Sequence, residues 1–267
     1  DQLGIPDRHR TMRAVFDRSW RLLSQDERDV AKALSVFRGG FVRQAAEEVT
    51  GATLAILSAL VDKSLLYVNG AGRYEIHELQ RQYASERLAA SPQRQREVGD
   101  SHSAYYLRLI AQPVRENYAE QDKQLLQVAN AEIDNILAAW TWAVEQRRIA
   151  DLSLSMSEMR RVAWLTSWYG ECERAFRFAV EALRDGQVSD EHRITFAHAL
   201  TSQAKMNLFM GHIKEAHEKL LESVSVLRGL PGARRELALA VGNLGWTSYA
   251  RSEMAEAKAL LSEAIQL

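Results

Sequence analysis

Histidines, cysteines and clustered aromatic rings are the residues through which a chain of this composition would act on a ligand. His212 and His217 lie five residues apart across an expected helix start, and His192 and His198 lie six apart. Neither spacing places two ligands on one helix face, and no carboxylate completes a set, so no metal site is expected; all four read as exposed or half-buried. Cys172 is the single cysteine, which excludes an internal disulfide and a cysteine-rich zinc site and suits a reducing, cytoplasmic setting. No serine, cysteine or lysine stands in a recognisable nucleophile context. The sequence has no Gly-x-x-x-x-Gly-Lys-Ser/Thr loop to cradle phosphates. The chain itself is therefore not expected to be an enzyme or to hold a cofactor. Two features remain. Trp164, Trp168, Tyr169 and Trp246 could line a ligand groove, although aromatics at helical spacing more often fill a core. His77 lies in Ile76-His77-Glu78, where a short strand turns into a helix within the stretch Tyr74–Leu88.

The elements that must position these residues fall into two kinds. Met12, Val15, Phe16, Leu22 and Leu23 recur at helical spacing, which predicts an amphipathic helix over Thr11–Leu23. Ser24 and Glu27 have the form of a capping box and start a second helix through Val36. The glycines of Phe37-Arg38-Gly39-Gly40 break it, because they permit backbone angles a helix excludes. A third helix is predicted over Phe41–Val49 and a fourth, almost wholly apolar, over Ala52–Asp62. Leu65–Val68 and Arg73–Ile76 are strand candidates around Asn69-Gly70-Ala71-Gly72, a hairpin signal. Helices followed by a hairpin is the order of a winged-helix domain, here residues 1–97.

A winged helix raises the question of DNA. Base edges are read by Arg, Lys, Asn or Gln, and Ala52–Asp62, the helix before the hairpin, has none of them. Arg8, Arg10, Arg13, Arg18 and Arg21 form one basic cluster, diluted by Asp7 and Asp17. This domain is read as a packing module, with a DNA-binding winged helix carrying a repeat sensor as the alternative.

Beyond it, Ser91-Pro92 resembles an N-cap with proline at the first helical position. A helix with Tyr105, Tyr106, Leu107 and Ile110 follows, then another over Asp122–Glu145; residues 98–148 form a linking, capping pair. From residue 149 to 267 the chain repeats itself at a step of 41 residues. That step relates Ala163, Ala204 and Gly245; Gly170, Gly211 and Ser252; Ala175, Ala216 and Ala257; and Glu181, Glu222 and Glu263. Small residues belong where two helices cross closely, and glycine belongs in the turn between them. Three repeats in register predict an α-solenoid of helical hairpins similar to tetratricopeptide repeats, lengthened from the usual ~34 residues. The fold class expected is mainly α: a winged helix with a small β-hairpin, then the solenoid. Leu260, Leu261 and Ile265 leave an apolar end that would stack on a further repeat, so the natural protein is expected to continue, or this end to pack on another chain.

Composition agrees. The 267 residues are 46% hydrophobic with a net charge of −1. Residues 1–97 carry 15 basic against 13 acidic side chains and the remainder 19 against 22. Neither part has the positive field typical of nucleic-acid binding. No apolar run approaches the ~20 residues of a membrane span.

Four segments together resemble one family. They are RHRTMRAVFDRSWRLLSQDERDVAKALSVFRGGF from Arg8, ALVDKSLLYV from Ala59, GRYEIHELQRQYASERL from Gly72 and AEIDNILAAWTWAVEQ from Ala131. They are similar to the region after the ATPase core in bacterial STAND-class regulators, signal-transduction ATPases related to the NB-ARC switches. The resemblance is dense from Arg8 to about Trp142. It implies a winged helix that relays the ATP or ADP state of the protein's own ATPase core, absent here, to a repeat array binding an inducer or partner protein. The family's Met-His-Asp motif falls on Ile76-His77-Glu78, which passes to His77 the role of contacting the nucleotide's terminal phosphate. A histidine ring can donate to phosphate oxygen, and free N–H groups at a helix start favour an anion. Glu78 in place of Asp departs from the motif by one methylene. The other reading, that His77 only caps its helix, stays open.

Overall fold

The computed structural model describes residues 16–111, 118–186 and 189–267. Among them the chain is mainly α, with thirteen helices and one two-stranded antiparallel sheet. It divides into two compact units, Asp1–Tyr106 and Leu107–Leu267.

In the first unit, helix α1 is described over residues 16–21. The rest of the Thr11–Leu23 expectation, and Arg8, Arg10 and Arg13 of the basic cluster, fall outside the described residues. Helix α2 is Gln25–Leu34, and its capping box forms as the sequence predicts: the Glu27 N–H donates to Ser24 Oγ (3.2 Å) and the Ser24 N–H donates back to Glu27 Oε2 (2.7 Å). Lys63 Nζ then reaches both Glu27 carboxylate oxygens, at 2.6 and 2.7 Å.

The break after α2 has a purpose that the sequence did not reveal. Gly40 sits at φ +85°, and a Cβ there would lie 3.0 Å from the Tyr74 carbonyl oxygen. This close approach lets Phe41 pair with Tyr74 through two 2.9 Å backbone hydrogen bonds. Because Phe41 is in that bridge, helix α3 begins two residues later than expected, at Arg43–Thr50. Helix α4 is Leu54–Asp62, with the Thr53 hydroxyl accepting from the Ile56 N–H (3.3 Å). Strands β1 (Tyr67–Val68) and β2 (Tyr74–Glu75) pair Tyr67 with Glu75 and Val68 with Tyr74. They are shorter than predicted, since the N–H groups of Leu65 and Leu66 donate to the Leu60 carbonyl and wrap the end of α4 instead. Helix α5 is Glu78–Ala89 and α6 is Pro92–Ile110.

Leu34, Phe41, Ala45, Ala46, Leu57 and Leu60 are fully buried and form the core of this unit. Phe37 stacks on Phe41 with ring centroids 4.4 Å apart. Tyr83 of α5 meets Trp20 edge-on at 5.4 Å, and the Arg87 guanidinium lies 3.6 Å over the Tyr83 ring.

The second unit consists of long helices. Helix α7 (Tyr118–Glu145) starts one turn earlier than expected and packs on α8 and α9. Three helical hairpins follow: α8 (Ile149–Thr166) with α9 (Tyr169–Arg184), α10 (Asp190–Phe209) with α11 (Ile213–Leu227), and α12 (Arg234–Ala250) with α13 (Met254–Gln266). The 41-residue step is physically sound at the crossings. Ala163, Ala204, Ala216 and Ala257 are buried, and a Cβ on Gly245 would come within 2.9 Å of Leu261 Cγ. Two of the three recurrent glutamates, Glu222 and Glu263, also have partners. Arg184 at the end of α9 reaches Glu222 of α11 (2.6 Å), and Arg228 beyond α11 reaches Glu263 of α13 (3.1 Å).

One expectation is corrected. Gly211 (φ +82°) and Ser252 (φ +66°) make left-handed turns in the second and third hairpins, but Gly170 lies within α9. In the first hairpin Ser167 takes the left-handed conformation (φ +61°), so that turn comes three residues earlier. Buried Trp140 joins α7 to this hairpin, donating through Nε1 to the Ala175 carbonyl (3.0 Å) and meeting Phe176 edge-on.

Candidate functional site

His77 stands at the corner the sequence indicates. It is the N-cap residue of α5, exposed, with extended backbone (φ −60°, ψ 134°). Its Nδ1 accepts from the Leu79 N–H at 3.3 Å, satisfying one of the helix's free donors. That bond leaves the ring proton on Nε2, the nitrogen on the far side of the ring from the cap. The ring borders an open cleft with Phe16, Val61, Tyr67, Val68 and Gln80. Glu78 lies elsewhere, in a cleft of about 170 Å³ with Arg38, Gly40, Glu75 and Arg81. There Arg81 donates twice to its carboxylate at 2.7 Å and Gln82 once at 2.8 Å. Arg81 chiefly, then Gln82 and the charge of Arg38, hold the Glu78 carboxyl down at about 2. His77 therefore does the capping, while Glu78 fixes Arg81, which also donates to the Ser35 carbonyl (3.3 Å).

The four aromatic candidates separate. Trp164 of α8 and Trp246 of α12 are 57% and 55% exposed, and Trp246 meets Tyr249, itself 53% exposed, edge-on at 6.0 Å. Trp168 occupies the N-cap position of α9 without a side-chain cap bond and is half-buried. Tyr169 begins α9, and its ring packs on Phe209 at 4.9 Å. Only Trp164 and Trp246 thus stand on first helices of hairpins with their rings open to solvent.

The histidines of this unit are more buried than the sequence implied. His192 bonds the Leu183 carbonyl through Nε2 (3.0 Å), and His217 Nδ1 bonds Thr247 Oγ1 (3.0 Å). His198 lies against the guanidinium of Arg160. All three are buried, and only His212 is exposed. They serve as hydrogen-bonding groups between helices, and among the described residues no cluster of His, Cys, Asp or Glu could hold a metal ion.

Sequence reasoning missed the surroundings of Arg160. From α8 it donates to Ser202 Oγ of α10 (2.9 Å) and to Ser157 Oγ (3.2 Å), besides its contact with His198 Nε2. Burial, with the charge of Arg235 on α12, brings the guanidinium down to about 10. Burial chiefly, then Arg160 and Arg235, push the His198 ring down to about 3, so it stays neutral. Lys205, one turn beyond Ser202, is lowered by burial and by Arg160, and its Nζ lies 5.1 Å from the Phe209 ring centroid. The only signal in the sequence was that Lys205 falls 41 residues from both Trp164 and Trp246.

No known family profile matches the chain. It is 32% identical over 211 residues to proteins of Mycobacterium tuberculosis (strains H37Rv and CDC 1551) and Mycobacterium bovis that carry the name "Putative HTH-type transcriptional regulator". The match takes in 70% of this chain but 23% of each relative, so the chain spans about a quarter of the length of the curated relatives it matches. A crystal structure of a STAND protein with a tetratricopeptide repeat sensor, from Pyrococcus horikoshii, aligns over all of this chain and 47% of its own. The two are 13% identical, with a TM-score of 0.32. No helix among the described residues is long and apolar enough to cross a membrane.

Proposed function

We propose that the chain is the regulatory and sensor portion of a STAND-type transcriptional or signalling regulator, and is not itself an enzyme. Its first unit, read as a winged helix, would relay the nucleotide state of an ATPase core elsewhere in the protein. Its second unit, read as tetratricopeptide-like hairpins, would bind an inducer or partner protein. The observation that carries this is the 32% identity over 211 residues to much longer proteins named as transcriptional regulators. The His77 corner supports a switch contact, because an exposed ring there keeps its Nε2 proton for a partner while Nδ1 caps the helix. Inducer binding that favours an open state must, by linkage, bind more tightly to that state.

The test uses the full-length protein. His77→Ala should weaken ADP retention or raise basal activity, whereas unchanged nucleotide content and signalling would leave His77 a structural cap. This chain alone, titrated with ADP, should show no tight binding; sub-micromolar affinity would sink the division of labour.

The name of the relatives favours a second reading, a DNA-binding winged helix with a repeat sensor. A salt-dependent mobility shift abolished by substitutions between Ala52 and Arg73 would support it. Against it, α4 offers no Arg, Lys, Asn or Gln to base edges.

A further inference from the structure

We propose that the row of first helices α8, α10 and α12 holds an anion site, in which Arg160, Lys205 and Arg235 receive the oxyanion of a small ligand whose apolar body rests on one of the exposed rings, Trp164 or Trp246. This deepens the sensor reading above and rests on it for its place in regulation.

Helix α10 packs against both α8 and α12, and the charges of Arg160 on α8 and Arg235 on α12 both bear on its His198, with Arg160 in direct contact. Arg160 is fixed from three sides by neutral acceptors, the Ser157 and Ser202 hydroxyls and the His198 ring. Among the described residues none of Arg160, Lys205 and Arg235 makes an ion pair. Arg160 and Lys205 are half-buried and Arg235 is exposed. A half-buried cation with no carboxylate in contact is costly, because burial removes water without supplying an adjoining counter-charge. An anion would supply it, and a guanidinium held by its neighbours is already set for two parallel hydrogen bonds to an oxyanion. Glu158 and Glu236 also act on Arg160, but Glu158 is already engaged by Arg161 at 3.4 Å. Arg161 is in turn taken by Asp122 at 2.6 Å. His198 is a positioning residue: its neutral ring accepts from Arg160 and adds no charge of its own. Trp164, Lys205 and Trp246 occupy one repeat position on successive first helices, so Lys205 stands on the helix between the two that carry exposed tryptophan rings. That arrangement suits a ligand with an anionic end and an apolar or planar body.

The experiment follows intrinsic tryptophan fluorescence and the thermal midpoint of the 267-residue chain while tripolyphosphate or citrate is added at constant ionic strength. Saturable binding with a raised midpoint is expected for at least one of them, and which one binds more tightly separates phosphate from carboxylate chemistry. Arg235→Ala, at an exposed position that tolerates truncation, should weaken binding about tenfold, and Arg160→Gln at least as much. Arg174→Ala, exposed on α9, should leave it unchanged. Failure of both anions to saturate, or equal affinity in the wild type and Arg235→Ala, would overturn the proposal. In that event a full-length protein whose inducer response is still lost on Trp246→Ala would keep the sensor reading, with a neutral ligand or a protein as the inducer.

Discussion

Lys63 and Glu27 lie 36 residues apart in sequence, and the lysine Nζ is within 2.7 Å of both carboxylate oxygens. The same carboxylate closes the capping box of α2, so one side chain joins the start of that helix to the end of α4. Lys63→Met should remove about 2 kcal/mol of first-unit stability by urea denaturation, between the values for exposed and buried pairs. Lys63, then the Ser24 N–H, holds the Glu27 carboxyl below its ordinary 4.5. A depressed carboxyl contributes stability that is present above the unfolded value and lost as pH falls through the folded one. The first unit should therefore weaken below pH 4.5, and Glu27→Gln should flatten that part of the profile.

His198 has the opposite charge type but the same direction. Its ring is pushed from 6.5 to about 3, so between those values the unfolded chain takes up a proton that the folded chain refuses. Second-unit stability should fall on acidification across that window by about 1.4 kcal/mol per pH unit. His198→Gln should remove this slope. A slope that persists in the variant would show that another group titrates there.

Gly245 leaves no room for a side chain against Leu261. Gly245→Val should cost about 2 kcal/mol through overpacking. Adding Leu261→Ala to that variant should recover part of the loss, and a double-mutant cycle measures the coupling. Strict additivity would mean the two positions do not meet.

His77→Ala should cost about 1 kcal/mol by removing the cap of α5, and His77→Asn should restore most of it. If His77 also contacts nucleotide in the full-length protein, the asparagine variant recovers stability but not ADP retention, which separates the two roles.

Cys172 is buried in α9, and burial pushes its thiol up to about 12. Iodoacetamide should label it only in denaturant, with mass spectrometry of the intact chain showing no native adduct. Rapid native labelling would mean that the α8–α9 hairpin opens readily.

Much of the architecture was legible in the sequence because its causes are local or periodic. The Ser24–Glu27 capping box, the corner at His77 and the small residues at 41-residue steps act within a few residues or repeat at fixed intervals. Where reading failed, a distant partner decided. Gly170 looked like a turn by register, yet Ser167 took the left-handed conformation. Phe41 looked helical until Tyr74 offered it a strand partner across the close approach at Gly40.

The sequence by itself therefore determined the mainly helical fold, the hairpin of β1 and β2, the repeat and the place of His77, since helix caps, turns and packing periodicity are written in neighbouring residues. Only the tertiary structure decided that Arg160, His198 and Ser202 meet, that Arg235 acts on Arg160 and His198, and that Arg160 acts on Lys205. Residues as far apart as Arg160 and Arg235 come to influence one another only when helices pack, and the packing that joins them also removes the water that would otherwise screen their charge.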